Sequence, residues 1–173
     1  MTSEPGFPPY TYTPGVTPHP IRDPAGHSHG QPVRTIIVEN NRIDAVPEFA
    51  RGVALFGRGY YWEAHEEWEA VWHAVGRHGP TADFLKALIK LAAAGVKVRE
   101  GKPAGVQRHA LRALELVTHV RAQSGASHFA GLPLADLSRL ASSIAETTWT
   151  QPALDHGRPI AFWPGLPASG DRL

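Results

Sequence analysis

The placement of glycine and proline constrains this chain more than any other feature. Of its 33 Gly and Pro residues, nineteen fall in the 57 residues formed by positions 1–32 and 149–173. Proline fixes φ and removes a donor, and glycine adds conformational freedom, so regular structure does not survive that density. Between these ends lies a normal globular stretch of roughly one hundred residues, enough for one hydrophobic core. The expected organisation is a Pro/Gly/His-rich arm over 1–46, a helical bundle over 47–148 and an irregular C-terminal segment over 149–173.

The central stretch reads as helix from residue 47. Asp44 and Pro47 mark a start, and Phe49, Val53 and Phe56 recur at helical spacing up to Gly57 and Gly59. A second helix spans Tyr60 to Val75. A third runs over roughly 82–100 with Thr81 or Asp83 as its cap, a fourth from Pro103 to about Gln123, and a fifth follows Pro133. Short connections make this an all-α fold, a compact antiparallel bundle of about five helices. The β-branched run Val33–Val38 is read as one short edge strand. For the arm there are two readings, a disordered leader and an extended segment docked on the bundle. The tyrosines and the histidines His19, His27 and His29 favour docking, because disordered leaders are poorer in aromatics.

Composition mostly excludes. Seventeen basic against sixteen acidic residues give a net charge of +1, too little to steer the chain to nucleic acid or anionic lipid. Without cysteine there is no disulfide framework, thiolate zinc site or thiol nucleophile. The longest run free of polar side chains, Ile160–Ala168, contains two prolines and is far short of the ~20 residues of a membrane span. Residues Met1–Pro5 have neither a basic nor an apolar leader character, so a cytoplasmic protein with no membrane partner is expected.

Helical positions advance ~100° per residue, which sorts the faces of the second helix. Tyr60, Ala64, Trp68, Val71 and Val75 form its apolar stripe, with Tyr61 and Trp72 at one edge. Trp62 projects nearly opposite, so something is expected to cover it: the arm, another helix or a second subunit. The third helix is apolar over more than half its circumference, leaving the stripe Lys86, Lys90 and Lys97. Its Ala92–Gly95 patch lets a neighbour approach closely. His109 sits on the apolar flank of the fourth helix and reads as a satisfied, semi-buried histidine.

Charge is uneven. Residues 59–76 hold four glutamates and no Lys or Arg, whereas residues 84–112 hold seven basic residues and one acid. Complementarity between an acidic helix and its basic neighbour explains this better than a nucleic-acid patch, because exposed aromatics are not interleaved with the cations.

The chemistry-bearing string is Glu63-Ala-His-Glu-Glu-Trp-Glu69. His65 and Glu69 lie one turn apart, a spacing that can place an imidazole and a carboxylate on one metal ion. Compared with the zincin His-Glu-x-x-His helix, the second His is replaced by Glu, so a third ligand must come from elsewhere. His19, His27, His29 and His109 are the candidates. A metal-free reading uses the same residues: Glu66 and Glu69 hold the His65 imidazolium, with His65 as the proton carrier, and Lys90 pairs with one of the glutamates.

Phe56, then Gly59-Tyr-Tyr-Trp-Glu-Ala-His-Glu-Glu-Trp-Glu-Ala-Val-Trp72, then Phe84–Ala93 and Gly105-Val106 resemble the prokaryotic helical family catalogued as domain of unknown function 309. The resemblance covers about residues 47–120 and implies a compact all-α fold without an established activity. Its string carries onto Glu63, His65, Glu66, Glu69 and Trp72. This chain departs from the family pattern at Ala87, where glycine is common, and at Lys90, where glutamine is frequent.

Two functions are therefore weighed. In the first, Trp62, His65, Glu66, Glu69, Trp72 and Lys90 form a polar pocket, completed by His19 or His27 from the arm. It binds a small ligand or a metal held by His65 and Glu69, with His65 and Glu66 performing hydrolytic or acid–base chemistry; the cofactor is unspecified. In the second, the His/Glu network is structural and exposed aromatics form a homo-oligomer or partner surface.

Overall fold

Proline opens three of the five α-helices in the computed structural model, which describes residues 6–152 and 156–166. Pro47 stands at the start of α1 (Pro47–Gly57), Pro80 in the first turn of α3 (Gly79–Arg99) and Pro103 at the start of α4 (Pro103–Ser124). Each occupies a position whose N–H would lack a helical partner anyway. The other two helices are α2 (Tyr61–Ala74) and α5 (Leu134–Glu146). Gly125, left-handed at φ 63°, terminates α4. Between α4 and α5 a minimal antiparallel hairpin pairs β1 (His128–Phe129) with β2 (Leu132–Pro133).

Consecutive helices pack on one another, α1 on α2, α2 on α3, α3 on α4 and α4 on α5, with the α3–α4 contact the most extensive. The all-α bundle expected from periodicity is what the chain forms, and α3 is its centre. Phe84, Leu85, Leu88, Leu91 and Ala92 of α3 are fully buried, against Trp68 and Val71 of α2 on one side and Val106, Ala110 and Val117 of α4 on the other. Gly95 has a definite job there. A Cβ at this position would lie 2.3 Å from the Tyr61 ring, so the small-residue patch of α3 admits an aromatic side chain.

Two local expectations are corrected. Residues 33–38 form no strand, because no other segment supplies a ladder for a lone β-branched run. Val33 and Ile37 are instead 98% and 75% exposed, while Ile36 and Val38 rest on the core. Helix α3 begins at Gly79, earlier than the spacing suggested, and neither Thr81 nor Asp83 caps it. Pro80 supplies the preset φ that starts the helix without a side-chain cap.

The two irregular flanks are packed on the bundle. From the C-terminal side, Trp163 and Leu166 enter the core, and the Phe162 N–H donates to the Tyr61 hydroxyl at 2.8 Å. The backbone of Ile160 crosses Gly59 so closely that a Cβ there would sit 2.3 Å from it. From the N-terminal side, Thr11 and Thr13 are fully buried, and the Thr11 N–H donates to the Gly157 carbonyl at 2.8 Å. The expected character of Met1–Pro5, of 153–155 and of 167–173 lies outside the described residues. Among those described, no helix is long and apolar enough to cross a membrane.

Candidate functional site

Helix α2 carries carboxylates on two sides, and the structure treats the two sets differently. Glu63 and Glu67 are one turn apart, next to the apolar stripe, and both are buried. Glu63 accepts from the Thr11 hydroxyl at 2.7 Å and from the Tyr12 N–H at 2.8 Å, and His27 Nε2 lies 3.3 Å away. Glu67 accepts from Arg34 at 2.8 Å and from Arg51 Nε at 3.1 Å. These glutamates are committed to holding the arm and α1, which is what buried charges require to be tolerated.

His65, Glu66 and Glu69 occupy the other side. Each offers one ligand atom, and the three atoms lie within 4.8 Å of one another. A tetrahedral ion with bonds of ~2.0–2.2 Å holds its donors ~3.4 Å apart, so rotamer adjustments of about an ångström would close the set. All three residues are half-buried. His65 Nδ1 is 3.3 Å from Glu66 Oε1, near enough for charge attraction, yet it is shielded from solvent and forms no hydrogen bond among the described residues. The Trp72 Nε1–H, two turns along from His65, is likewise shielded and unpartnered. A buried donor without a partner costs ~1–3 kcal/mol, a cost the Trp72 Nε1–H carries in this arrangement.

The surrounding charge is positive. Burial, followed by the nearby Lys86 and Arg112, holds the Lys90 ammonium below its ordinary range, and Glu69 opposes this. Burial and then Lys90, Arg108, Lys97 and His65 push His109 down to about 4, so at neutral pH it is a neutral imidazole. The expected Lys90–glutamate ion pair does not form. Glu69 is felt only at longer range, and among the described residues Lys90 has no hydrogen bond or ion pair. The wider complementarity of an acidic α2 with a basic α3 is carried at longer range, by Glu69 toward Lys90 and Glu63 toward Arg99, while the direct partners of Glu63 and Glu67 lie in the arm and α1.

The arm is docked over Trp62, with Tyr12 and His19 forming a ring cluster on it. Centroids are 5.3 Å apart for Tyr12–Trp62, 5.5 Å for His19–Trp62 and 4.9 Å for Tyr12–His19. His19 Nδ1 accepts from the Ile21 and Arg22 N–H groups, and His27 is turned to Glu63. Neither joins the His65–Glu66–Glu69 donor group. Of the three coverings expected for Trp62, the arm is the one found. The exposed aromatics invoked for a partner surface are the part corrected: among the described residues the large exposed apolar side chains are Val16, Ile21, Val33, Ile37 and Leu111, all aliphatic.

Residues passed over at the sequence level include Glu67, Thr11, Thr13 and Arg99. Arg99 is fully buried; it donates from Nε to Thr13 Oγ1 and from NH1 to the Arg158 carbonyl, while NH2 has no partner among the described residues. A signal for it existed. Arg99 follows Gly95 by four and Ala92 by seven, squarely on the buried stripe of α3.

Residues 49–109 match the model of a family described as Domain of unknown function (DUF309). The match runs from within α1 through α2 and α3 into α4, so it includes the whole His65–Glu66–Glu69 set. No curated protein matches the chain.

Proposed function

We propose that His65, Glu66 and Glu69 hold one divalent cation, and that the face of α2 they share is a metal-assisted hydrolytic or acid–base site for a small ligand. The observation that carries this reading is the donor set itself, one imidazole and two carboxylate atoms within 4.8 Å, with His65 Nδ1 shielded and without a hydrogen bond among the described residues. Nitrogen with carboxylate oxygen suits zinc, manganese or iron(II). Three protein ligands would leave a position open, where a bound water would be acidified toward neutral pH. Around it, the Trp72 Nε1–H is available as a donor, and Lys90 supplies positive charge. A cytoplasmic location belongs to the same proposal and is checked by cell fractionation.

Metal titration of chelator-stripped, untagged protein tests it. About one equivalent of Zn²⁺ or Mn²⁺ should bind and be lost in His65→Ala and Glu69→Gln. Less than ~0.1 equivalent in the wild type would overturn the reading.

A second reading is non-catalytic association of like chains. It is favoured by one observation, the exposed β-branched residues Val33 and Ile37 in a segment whose backbone forms no hydrogen bond from 33 to 38 among the described residues. Sedimentation of the wild type against a Val33→Lys/Ile37→Lys double variant tests it: a dimer only in the wild type supports it, and a monomer in both removes it.

A further inference from the structure

The chain has four lysines, and the structure sorts them by what neutralises each ammonium. Lys97 and Lys102 share the Glu100 carboxylate, Lys102 at 2.9 Å. Lys86 rests over the Trp72 ring, 5.8 Å from its centroid. Lys90 differs from all three: among the described residues it makes no hydrogen bond, ion pair or ring contact. It is half-buried, between the buried side chains Ala87, Leu88, Ile89 and Leu91 of its own helix. Its Nζ is not shielded as His65 Nδ1 and Trp72 Nε1 are, so a small molecule can reach it.

The charges around Lys90 come from three helices. On α3, Lys86 stands one turn before it at a spacing that makes the two side chains neighbours. From α4 come Arg112, which is engaged by Glu115 at 2.7 Å, and the neutral imidazole of His109. From α2, Glu69 acts only at longer range. Burial and a like charge one turn away both disfavour an ammonium, so Lys90 gives up its proton more readily than an exposed lysine does. Desolvation beside another cation is a general means of turning a lysine into a nucleophile.

We infer that Lys90 is a nucleophilic amine that forms an imine with a small aldehyde or ketone. The Nζ lone pair attacks the carbonyl carbon, and one nitrogen proton moves to the carbonyl oxygen to give a carbinolamine. The hydroxyl then leaves as water with the second nitrogen proton, and the C=N bond forms; no oxidant or reductant enters. Once protonated, the C=N group withdraws electrons from the adjacent carbon. Loss of a proton or of a carboxylate at that carbon is the reaction class such an amine serves.

The test treats the full chain, stripped on a chelating resin, with propanal and sodium cyanoborohydride, and maps the reduced adducts over the four lysines by peptide mass spectrometry. Propanal is neutral, so no charge on the probe biases the choice of lysine. Lys90 should carry at least about ten times the label of Lys97 or Lys102, and its labelling should rise at a lower pH than theirs. Lys86→Gln, which deletes the neighbouring charge, should lower the labelling of Lys90 severalfold. Similar labelling of all the lysines, no label on Lys90, or a Lys90 label indifferent to Lys86→Gln overturns the inference. The comparison among lysines is made within the wild-type protein, so it stands whether or not a variant folds. The reaction needs no metal: a failed metal titration leaves this inference standing, and absent labelling leaves the metal reading standing.

Discussion

Arg99 Nε donates to Thr13 Oγ1 at 2.7 Å, joining the last turn of α3 to a residue 86 positions earlier in the arm. Both partners are fully buried, and the same guanidinium reaches the Arg158 carbonyl at 3.2 Å. Burial holds the Arg99 guanidinium below its ordinary range, with Glu63 opposing that shift. The arm, the bundle and the C-terminal segment are thus joined at one cation.

Thr13→Val keeps the shape of that contact and deletes its acceptor. The guanidinium, already short of a partner at NH2, then loses a second one. Leaving a buried charged donor unpaired costs ~1–3 kcal/mol, and urea denaturation should show the midpoint falling accordingly. A midpoint unchanged within error would mean that water replaces the hydroxyl.

Glu63→Ala should release the arm while the bundle stays folded. Glu63 accepts from Thr11 and Tyr12 and adjoins His27, and its removal strands these groups together with Arg99. Limited proteolysis between residues 7 and 32 should quicken by about an order of magnitude, with far-ultraviolet circular dichroism little changed. Equal cleavage rates would show that the aromatic cluster on Trp62 holds the arm by itself.

His109 makes stability depend on pH in a defined window. Its folded-state value is about 4, below the ordinary 6.5, so between these values the unfolded chain binds the extra proton. Its contribution is complete above about pH 6.5 and is lost as pH falls toward 4. Allowing for solvent screening of a half-exposed group, the loss should be ~1–2 kcal/mol. In His109→Gln the slope of stability against pH across this window should be shallower, measured on metal-stripped protein. An identical slope in both would assign the pH dependence to other groups.

Gly95→Ala introduces a methyl group 2.3 Å from the Tyr61 ring. Tyr61 is fully buried and holds the Phe162 N–H, so it has little room to move. Overpacking of this kind costs ~1–3 kcal/mol, and the helical propensity gained, up to ~1 kcal/mol, offsets only part of it. A thermal melt showing a higher Tm would contradict the packing described for this site.

The bundle was legible because each helix announces itself twice, by apolar spacing and by its Pro or Gly ends. Helix α4 from Pro103 is the clearest case. The strand expected at Val33–Val38 had local propensity alone, and β pairing needs a partner that local sequence does not name. For the site, the spacing of His65 and Glu69 was readable because both stand on one helix. The roles of Glu63 and Arg99 were not, since their partners Thr11, Thr13 and Arg158 arrive from segments with no periodicity to place them. Helical spacing by itself does not reveal that Glu63 and Glu67 are buried, because only tertiary contacts distinguish a rim carboxylate from a buried one.

The hydrogen bond from the Thr11 N–H to the Gly157 carbonyl has a consequence for dissecting this molecule. The stretch from 49 to 109 contains Glu63, Glu67 and Arg99, but their hydroxyl, amide, carbonyl and guanidinium partners Thr11, Tyr12, Thr13, Arg34 and Arg158 lie beyond it. Excised by itself, that stretch would carry an orphaned carboxylate and an orphaned guanidinium into its own core. Its boundaries in sequence are therefore not its boundaries as a folding unit, and the flanks belong to the minimal stable piece.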